Sequence, residues 1–236
     1  MCGRYTLIGD ADWIAEIFEA DVEPIRGAHG PRYNVAPTQL APTMVSAPAG
    51  RRVGFMRWGL VPHWAENLSV GTKMINARSE TVATRPAYRD SFLRKRCVVP
   101  ADGFYEWETL GSKKQPHWIH QPGRTPFGFA GIWSTWVGAE EEKVHSFSIL
   151  TKPAPAPLVW LHDRVPVILE SGLWDDWLAK GTPPDSLQEL LAVSETPVLQ
   201  SHPVSPRVNQ AGYEAPDCID EVDVEKPPTA EQTSFF

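Results

Sequence analysis

The spacing of apolar and polar positions changes several times along this chain, and each change predicts an element. At residues 10–20, Trp13, Ile14, Ile17 and Phe18 form an i, i+3/i+4 stripe, which predicts a helix with Asp10 or Asp12 as its cap. Residues 31–37 read as a loop. Residues 43–46 and 52–58 read as strands around a Pro-Ala-Gly-Arg turn at 48–51. Residues 80–95 carry helical stretches that Pro86 limits. Strands follow at 97–99, 103–108, 116–120, 127–136, 145–151 and 165–169. Residues 144–149 alternate loosely, as a half-buried strand does. Three prolines impose a loop or polyproline stretch on 152–157, and short helices are expected at 173–180 and 186–192. Many short strands with a few helices imply an α+β domain with a mostly antiparallel sheet.

Composition narrows the class. The 236 residues suit one domain with an appendage and can bury a core without staples. No apolar run approaches the ~18 residues of a membrane span, and no signal-peptide core follows Met1. The expectation is a protein that is not secreted: cytoplasmic or nucleoid-associated in a bacterium, nuclear in a eukaryote. Three widely spaced cysteines, Cys2, Cys97 and Cys218, give neither a disulfide framework nor a zinc pattern. The histidines form no HExxH, so no metal is expected. With no GxGxxG and no P-loop, no nucleotide cofactor is implied.

Charge is unevenly placed. The net charge of −7 argues against a general nucleic-acid binder. Yet residues 24–100 hold twelve Lys and Arg against three acids, and residues from 214 onward hold seven acids against one Lys. A basic block of +9 inside an acidic chain suits a localised polyanion site. The acidic, Pro-bearing stretch at 213–236 is expected to be disordered beyond a domain at 1–212.

The most informative residue is Cys2. Removal of Met1 would leave a cysteine with two nucleophiles on adjacent carbons, an α-amine of pKa ~7.7–8.0 and a thiol of ~8.5. Such a 1,2-aminothiol condenses with an aldehyde to a Schiff base, and its thiol then closes a thiazolidine. A terminal nucleophile can alternatively use its own amine as base and hydrolyse amides. Asn76 and Arg78 are two apart and project to one side of an extended segment. Glu106 is flanked by Tyr105 and Trp107, a setting that desolvates a carboxylate and suits it to proton transfer. His162 lies between the proline loop and an apolar strand, as a general base or a core histidine.

Seven motifs run in order from residue 1 to about 210. They are Met1-Cys2-Gly3-Arg4-Tyr5, then Arg32-Tyr33-Asn34-Val35-Ala36-Pro37-Thr38, then Arg57-Trp58-Gly59-Leu60-Val61-Pro62 with Trp64. Next come Asn76-Ala77-Arg78-Ser79-Glu80-Thr81, Pro100-Ala101-Asp102-Gly103-Phe104-Tyr105-Glu106-Trp107, His162-Asp163-Arg164-Val165-Pro166, and Val204-Ser205 with Asn209. In this set the chain resembles the SRAP family, the SOS response-associated peptidases understood as abasic-site DNA–protein crosslinking proteins. It departs at Val165, where many members have Met, and at Pro155, where they have Asn. The resemblance implies a single SRAP-type domain with a barrel-like sheet. It implies removal of Met1, by autoproteolysis or peptidase-like action, and capture of abasic sites in single-stranded DNA as a thiazolidine on Cys2, with AP-lyase cleavage as a side activity. By matching position, Cys2, Asn76, Glu106 and His162 are implied as catalytic. Arg4, Asn34, Trp64, Arg78, Arg85, Trp107 and Thr151 are implied as DNA-binding. Stacking plus a basic groove is the usual route to sequence-tolerant single-strand binding.

The chain ends in Gln232-Thr233-Ser234-Phe235-Phe236, which has the Q-x-x-Φ-F form of a sliding-clamp peptide, with Gln232, Phe235 and Phe236 as its anchors. Nothing in the residues demands more than a monomer. Two other functions compete with covalent capture: a thiol peptidase built on Cys2, and a non-covalent reader of damaged or modified single strands.

Overall fold

The computed structural model describes residues 2–224. The first helix, α1 (Ala11–Phe18), starts where the Asp10 carboxylate accepts the Trp13 amide at 2.8 Å. It buries Ala11, Ile14 and Phe18 and stops at Glu19, whose φ of 47° cannot continue the helix. The later helices are α2 (Arg89–Arg94), α3 (Trp174–Leu178) and α4 (Pro184–Val193).

The strands are β1 (Arg4–Leu7), β2 (Ala20–Asp21), β3 (Arg32–Val35), β4 (Leu40–Ala47), β5 (Gly50–Trp58), β6 (Asn76–Arg78) and β7 (Arg96–Ala101). After them come β8 (Gly103–Leu110), β9 (Lys113–His120), β10 (Phe127–Val137), β11 (Lys143–Pro153), β12 (Arg164–Pro166), β13 (Ile168–Leu169) and β14 (Gln200–Pro203). Antiparallel pairs β5–β4, β4–β7, β7–β10 and β10–β11 form most of a ring. A parallel contact of β11 with β5, Ser146 opposite Arg57 and Phe147 opposite Trp58, closes it. Closure leaves these five strands with no free edge. All five contribute to one core, with Met44, Val53, Val98, Ile132 and Ile149 fully buried. The mostly antiparallel, barrel-like α+β architecture expected from the sequence is present.

A second sheet, ordered β14-β9-β8-β1-β3, packs beside the barrel. Its inner strand β1 pairs with β8 through Arg4–Tyr105, Tyr5–Phe104 and Thr6–Gly103, and with β3 on its other side. Tyr5 and Leu7 are fully buried, and Tyr5 meets Trp58 and Phe129 edge-on at ring centroid distances of 5.2 and 5.9 Å. Several polar groups beneath β1 are paired: the Asp102 carboxylate accepts from Thr6 Oγ1 and from the Ile8 amide, and Trp118 Nε1 donates to Thr6 Oγ1 at 3.2 Å.

Three segments differ from expectation for identifiable reasons. Residues 32–35, read as loop, form edge strand β3 because the Glu214 carboxylate takes the amides of Tyr33 and Asn34, doing the work of a missing neighbour strand. The strand expected at 165–169 is two strands, since β12 pairs with β11 while β13 pairs with β10. Residues 80–95 are helical only in α2, and the stretch before it is turn. Residues 213–224, whose composition suggested disorder, are packed against the domain. A 3-10 turn at Pro216–Ile219 buries Cys218 and Ile219 beside Tyr105, Trp118, Val204 and Val208, and Glu214 pairs with Arg32 at 3.0 Å. Part of the acidic segment thus neutralises part of the basic one. Gln232, Phe235 and Phe236 lie outside the described residues. Among the described residues, no helix is long and apolar enough to cross a membrane.

The turn after β5 depends on close backbone approach. Gly59 has φ +115°, and a Cβ there would lie 2.4 Å from the Gly71 carbonyl oxygen. We therefore expect Gly59→Ala to cost about 2 kcal/mol or more, seen as a lower urea midpoint with unchanged slope.

Candidate active site around Cys2

Because β1 is an inner strand, the residues just before it are drawn into the protein. The Cys2 side chain is 0% exposed. Continuing the β1–β8 register by one position sets Gly3 opposite Glu106. The Cys2 carbonyl accepts from Asn76 Nδ2 at 2.8 Å, and its thiol points to the Arg4 carbonyl at 3.7 Å. Burial pushes the thiol pKa up strongly, and the charge of Glu106 adds to this. Burial likewise holds the Glu106 carboxyl above the ordinary glutamate range, with His162 among the groups that pull against it. Glu106 therefore sits within electrostatic reach of both Cys2 and His162.

Asn76 is placed by β6, which lies parallel to β11 with Asn76 opposite Ile149. The Tyr88 hydroxyl donates to its carbonyl at 3.2 Å. Its side-chain donor is committed to Cys2, while Asn76 Oδ1 is buried and makes no hydrogen bond. A buried acceptor left open beside a nucleophile is a place for an incoming N–H or O–H. His162 follows the 3-10 turn Ala156–Leu158. Its Nδ1 lies 2.9 Å from the Arg164 amide and 2.6 Å from Asp163 Oδ1. That nitrogen is thereby placed between a backbone N–H and a carboxylate.

A fork-to-fork ion pair holds these segments together. Arg164 Nη1 and Nη2 meet Glu80 Oε1 and Oε2 at 2.6 and 2.9 Å, and Nη2 also donates to the Thr151 carbonyl at 2.6 Å. The Ser79 amide adds a bond to that same carbonyl at 2.9 Å. The strand bearing Asn76 and the loop bearing His162 are thus tied through one guanidinium. Sequence reading missed this clamp, although Glu80 and Arg164 each stand inside a quoted motif. Partnership across that separation has no local signal.

The remaining named residues fall into two groups. A groove of about 480 Å³ opens at Asn76 and is lined by Trp64, Met74, Arg78, Arg85 and Tyr88. Trp64 is 59% exposed. Arg78 and Arg85 have no acidic partner among the described residues. Elsewhere in the basic block Arg26, Arg32, Arg51 and Arg52 are paired with Asp12, Glu214, Asp175 and Asp21, and Arg96 is consumed by backbone carbonyls. Arg78 and Arg85 thus bring two cations without a carboxylate partner to this groove.

The second group does not line this groove: Arg4 and Trp107 are half-buried, and Asn34 and Thr151 are buried. Arg4 donates to Asn34 Oδ1 at 3.0 Å and to the carbonyls of Val208 and Asn209, and burial lowers its pKa. Asn34 is buried and donates to the carbonyls of Val208, Gln210 and Tyr213. Trp107 Nε1 donates to Asn209 Oδ1 at 2.7 Å. Thr151 is buried with its hydroxyl against Arg164 at 3.2 Å. Asn34 and Thr151 thus face protein rather than groove. No cluster of three metal-ligating side chains occurs among the described residues.

Cys2 is thus buried at the head of β1, with Asn76 on its carbonyl and Glu106 within electrostatic reach, and Asn76 also lines the basic groove. The sequence model of the family described as SOS response associated peptidase (SRAP) matches residues 1–211, and the chain belongs to this family. Its relatives include the "Abasic site processing protein YoqW" of Bacillus subtilis, 39% identical over 93% of this chain and 99% of that protein. The "Abasic site processing protein HMCES" of Xenopus tropicalis is 31% identical over 80% of this chain and 65% of its own length. Among solved structures, a Bacteroides thetaiotaomicron protein superposes with TM-score 0.83 at 22% identity, covering 94% of this chain and all of its own. A phage-related protein from Bordetella bronchiseptica gives 0.67 at 32% identity, covering 86% of this chain and 94% of its own.

The clamp has a pH signature. Arg164 holds the Glu80 carboxyl down to about 2 from an ordinary 4.5, so its stabilisation is complete above about 4.5 and is lost as pH falls towards 2. Glu80 is partly exposed, so screening trims the effect. We expect Glu80→Gln to cost about 1–3 kcal/mol at pH 7 and progressively less below pH 4.5, measured by urea unfolding across pH.

Proposed function

We propose that this protein processes abasic sites in single-stranded DNA by capturing them covalently on Cys2. The observation that carries this reading is the juxtaposition of Cys2 with Asn76, Glu106 and His162 at the head of the groove lined by Arg78 and Arg85. The relatives named as abasic site processing proteins support it.

In this mechanism Met1 is first removed by hydrolysis of its peptide bond, and Cys2 becomes the terminal residue. Its carbonyl is held by Asn76 and its thiol is directed at Arg4, so the new α-amine is the remaining reactive substituent. The amine nitrogen attacks the aldehyde carbon of the opened deoxyribose, and loss of one water gives an imine. The thiol sulfur then adds to the imine carbon while its proton passes to nitrogen, closing a thiazolidine. The net change is aldehyde plus aminothiol to thiazolidine plus water.

Burial keeps the Cys2 thiol protonated, which leaves the amine as the first nucleophile and the sulfur as the second. Glu106, whose carboxyl burial raises above the ordinary glutamate range, moves protons in sugar opening, dehydration and ring closure. Asn76 Oδ1 accepts from the amine, and His162 acts as acid or base and anchors the lesion sugar or its phosphate. Arg78, Arg85 and Arg4 take flanking phosphates, and Trp64 and Trp107 stack on or wedge beside bases. Asn34 and Thr151 act from behind, holding Arg4 and the clamp. A clamp-binding role for Gln232, Phe235 and Phe236 is a further part of this proposal.

The deciding experiment is a denaturing gel of protein with an oligonucleotide bearing one abasic site. Wild type with a free Cys2 amine should give a heat-stable shifted band, and Cys2→Ala should bind but give none. Glu106→Gln should slow band formation about a hundredfold or more, with affinity little changed. No band from correctly processed wild type would overturn the reading and leave peptide hydrolysis by Cys2 as the alternative. Arg78→Ala should reduce the slope of log affinity against log salt by about 0.7, and an unaltered slope would remove Arg78 from phosphate contact.

A further inference from the structure

Trp160 is absent from the motifs, yet it is one of the most exposed large side chains in the molecule, at 53%. It is held in place despite that exposure. Its Nε1 donates to the Pro157 carbonyl at 2.9 Å, and its ring stands edge-to-face on His117, with centroids 5.3 Å apart. His117 is itself buried and fixed, with Nε2 3.0 Å from Glu108 Oε2.

The β8–β9 register makes the location of this indole significant. His117 is directly opposite Glu106, so the two side chains share one face of the sheet, and Glu108 lies two residues along on that face. Trp160 is also two residues before His162 on the same loop. It therefore stands at the rim of the Cys2 site, above the β8–β9 wall. Trp64 lies in the other approach, through Asn76 and β6.

We propose that Trp160 is a stacking platform for the nucleobase next to the captured lesion, on the His162 side of the site. The proposal rests on the DNA-capture reading above and adds a further base-binding position to it, beyond Trp64 and Trp107. An indole suits this role because every base has a π-face, so stacking adds affinity without sequence preference. Fixing the ring beforehand through Pro157 and His117 removes ordering cost from binding. The face not engaged by an edge contact is the one a base would cover.

The test uses full-length protein and oligonucleotides carrying a tetrahydrofuran abasic analogue, which has no aldehyde and reports reversible binding. Trp160→Ala should bind about tenfold or more weakly, and Trp160→Phe should recover most of the loss. Two further oligonucleotides each replace one base flanking the analogue, 5′ or 3′, by a second tetrahydrofuran. With one of them, wild type and Trp160→Ala should bind alike, because the base that stacks is gone. If the tenfold difference persists on both, or if Trp160→Ala binds as wild type does on the first oligonucleotide, the stacking role is overturned. Thermal melting of the variants identifies any loss caused by unfolding, and Trp160→Phe, which keeps an aromatic contact to His117, then decides. Wild-type capture of aldehyde-bearing abasic DNA is run in parallel. Its absence would bring down the functional reading and this inference with it; its presence alongside an unaffected Trp160→Ala would bring down this inference alone.

Discussion

The structure depends on the insertion of β1 between β8 and β3. Most chains leave their first residues loose at the surface, where they lose little entropy. Here Arg4–Leu7 carries two ladders, and Tyr5 and Leu7 enter the core that the barrel shares. Placing a polar backbone end inside a protein is costly unless each group finds a partner. Asp102, Asn76 and the backbone of β8 supply those partners, and Cys2 is carried into a water-poor site as a consequence. The same burial shifts the Cys2 thiol and the Glu106 carboxyl upward. The raised pKa values of Cys2 and Glu106 are therefore a product of packing.

The elements bearing the site come from distant parts of the chain, and two devices hold them in register. Barrel closure through β11 and β5 fixes the strand on which β6 lies. The Arg164–Glu80 fork then ties the turn after β6 to the loop that carries His162. Such a pair is strong because its geometry is bidentate and its arginine is largely buried, and it would be weak as an isolated surface contact.

Charge is handled by the same economy of partners. The basic block is not uniformly available, since several arginines pair with acids from α1, α3 and the segment around Glu214. Arg78 and Arg85 are left without such partners beside a groove that leads to Asn76. An acidic protein can thereby present a local positive field while keeping its overall charge negative.

The chain alone determined a good deal. Periodicity and turn residues located most barrel strands and α1, whose Asp10 cap is local chemistry. The motifs around Cys2, Asn76, Glu106 and His162 identified the family, because residue type and order survive in one dimension. What only the tertiary structure decided rests on contacts between distant positions. Edge strand β3 exists because Glu214, far along the chain, satisfies its amides. The split between β12 and β13 follows from a change of partner strand. Asn34 and Thr151 are drawn into the protein by hydrogen bonds to segments remote in sequence. Trp160 is set at the site rim by a histidine on another strand. Local pattern encodes which elements form; burial and partnership across the fold settle which side chains face protein and which remain open to a ligand.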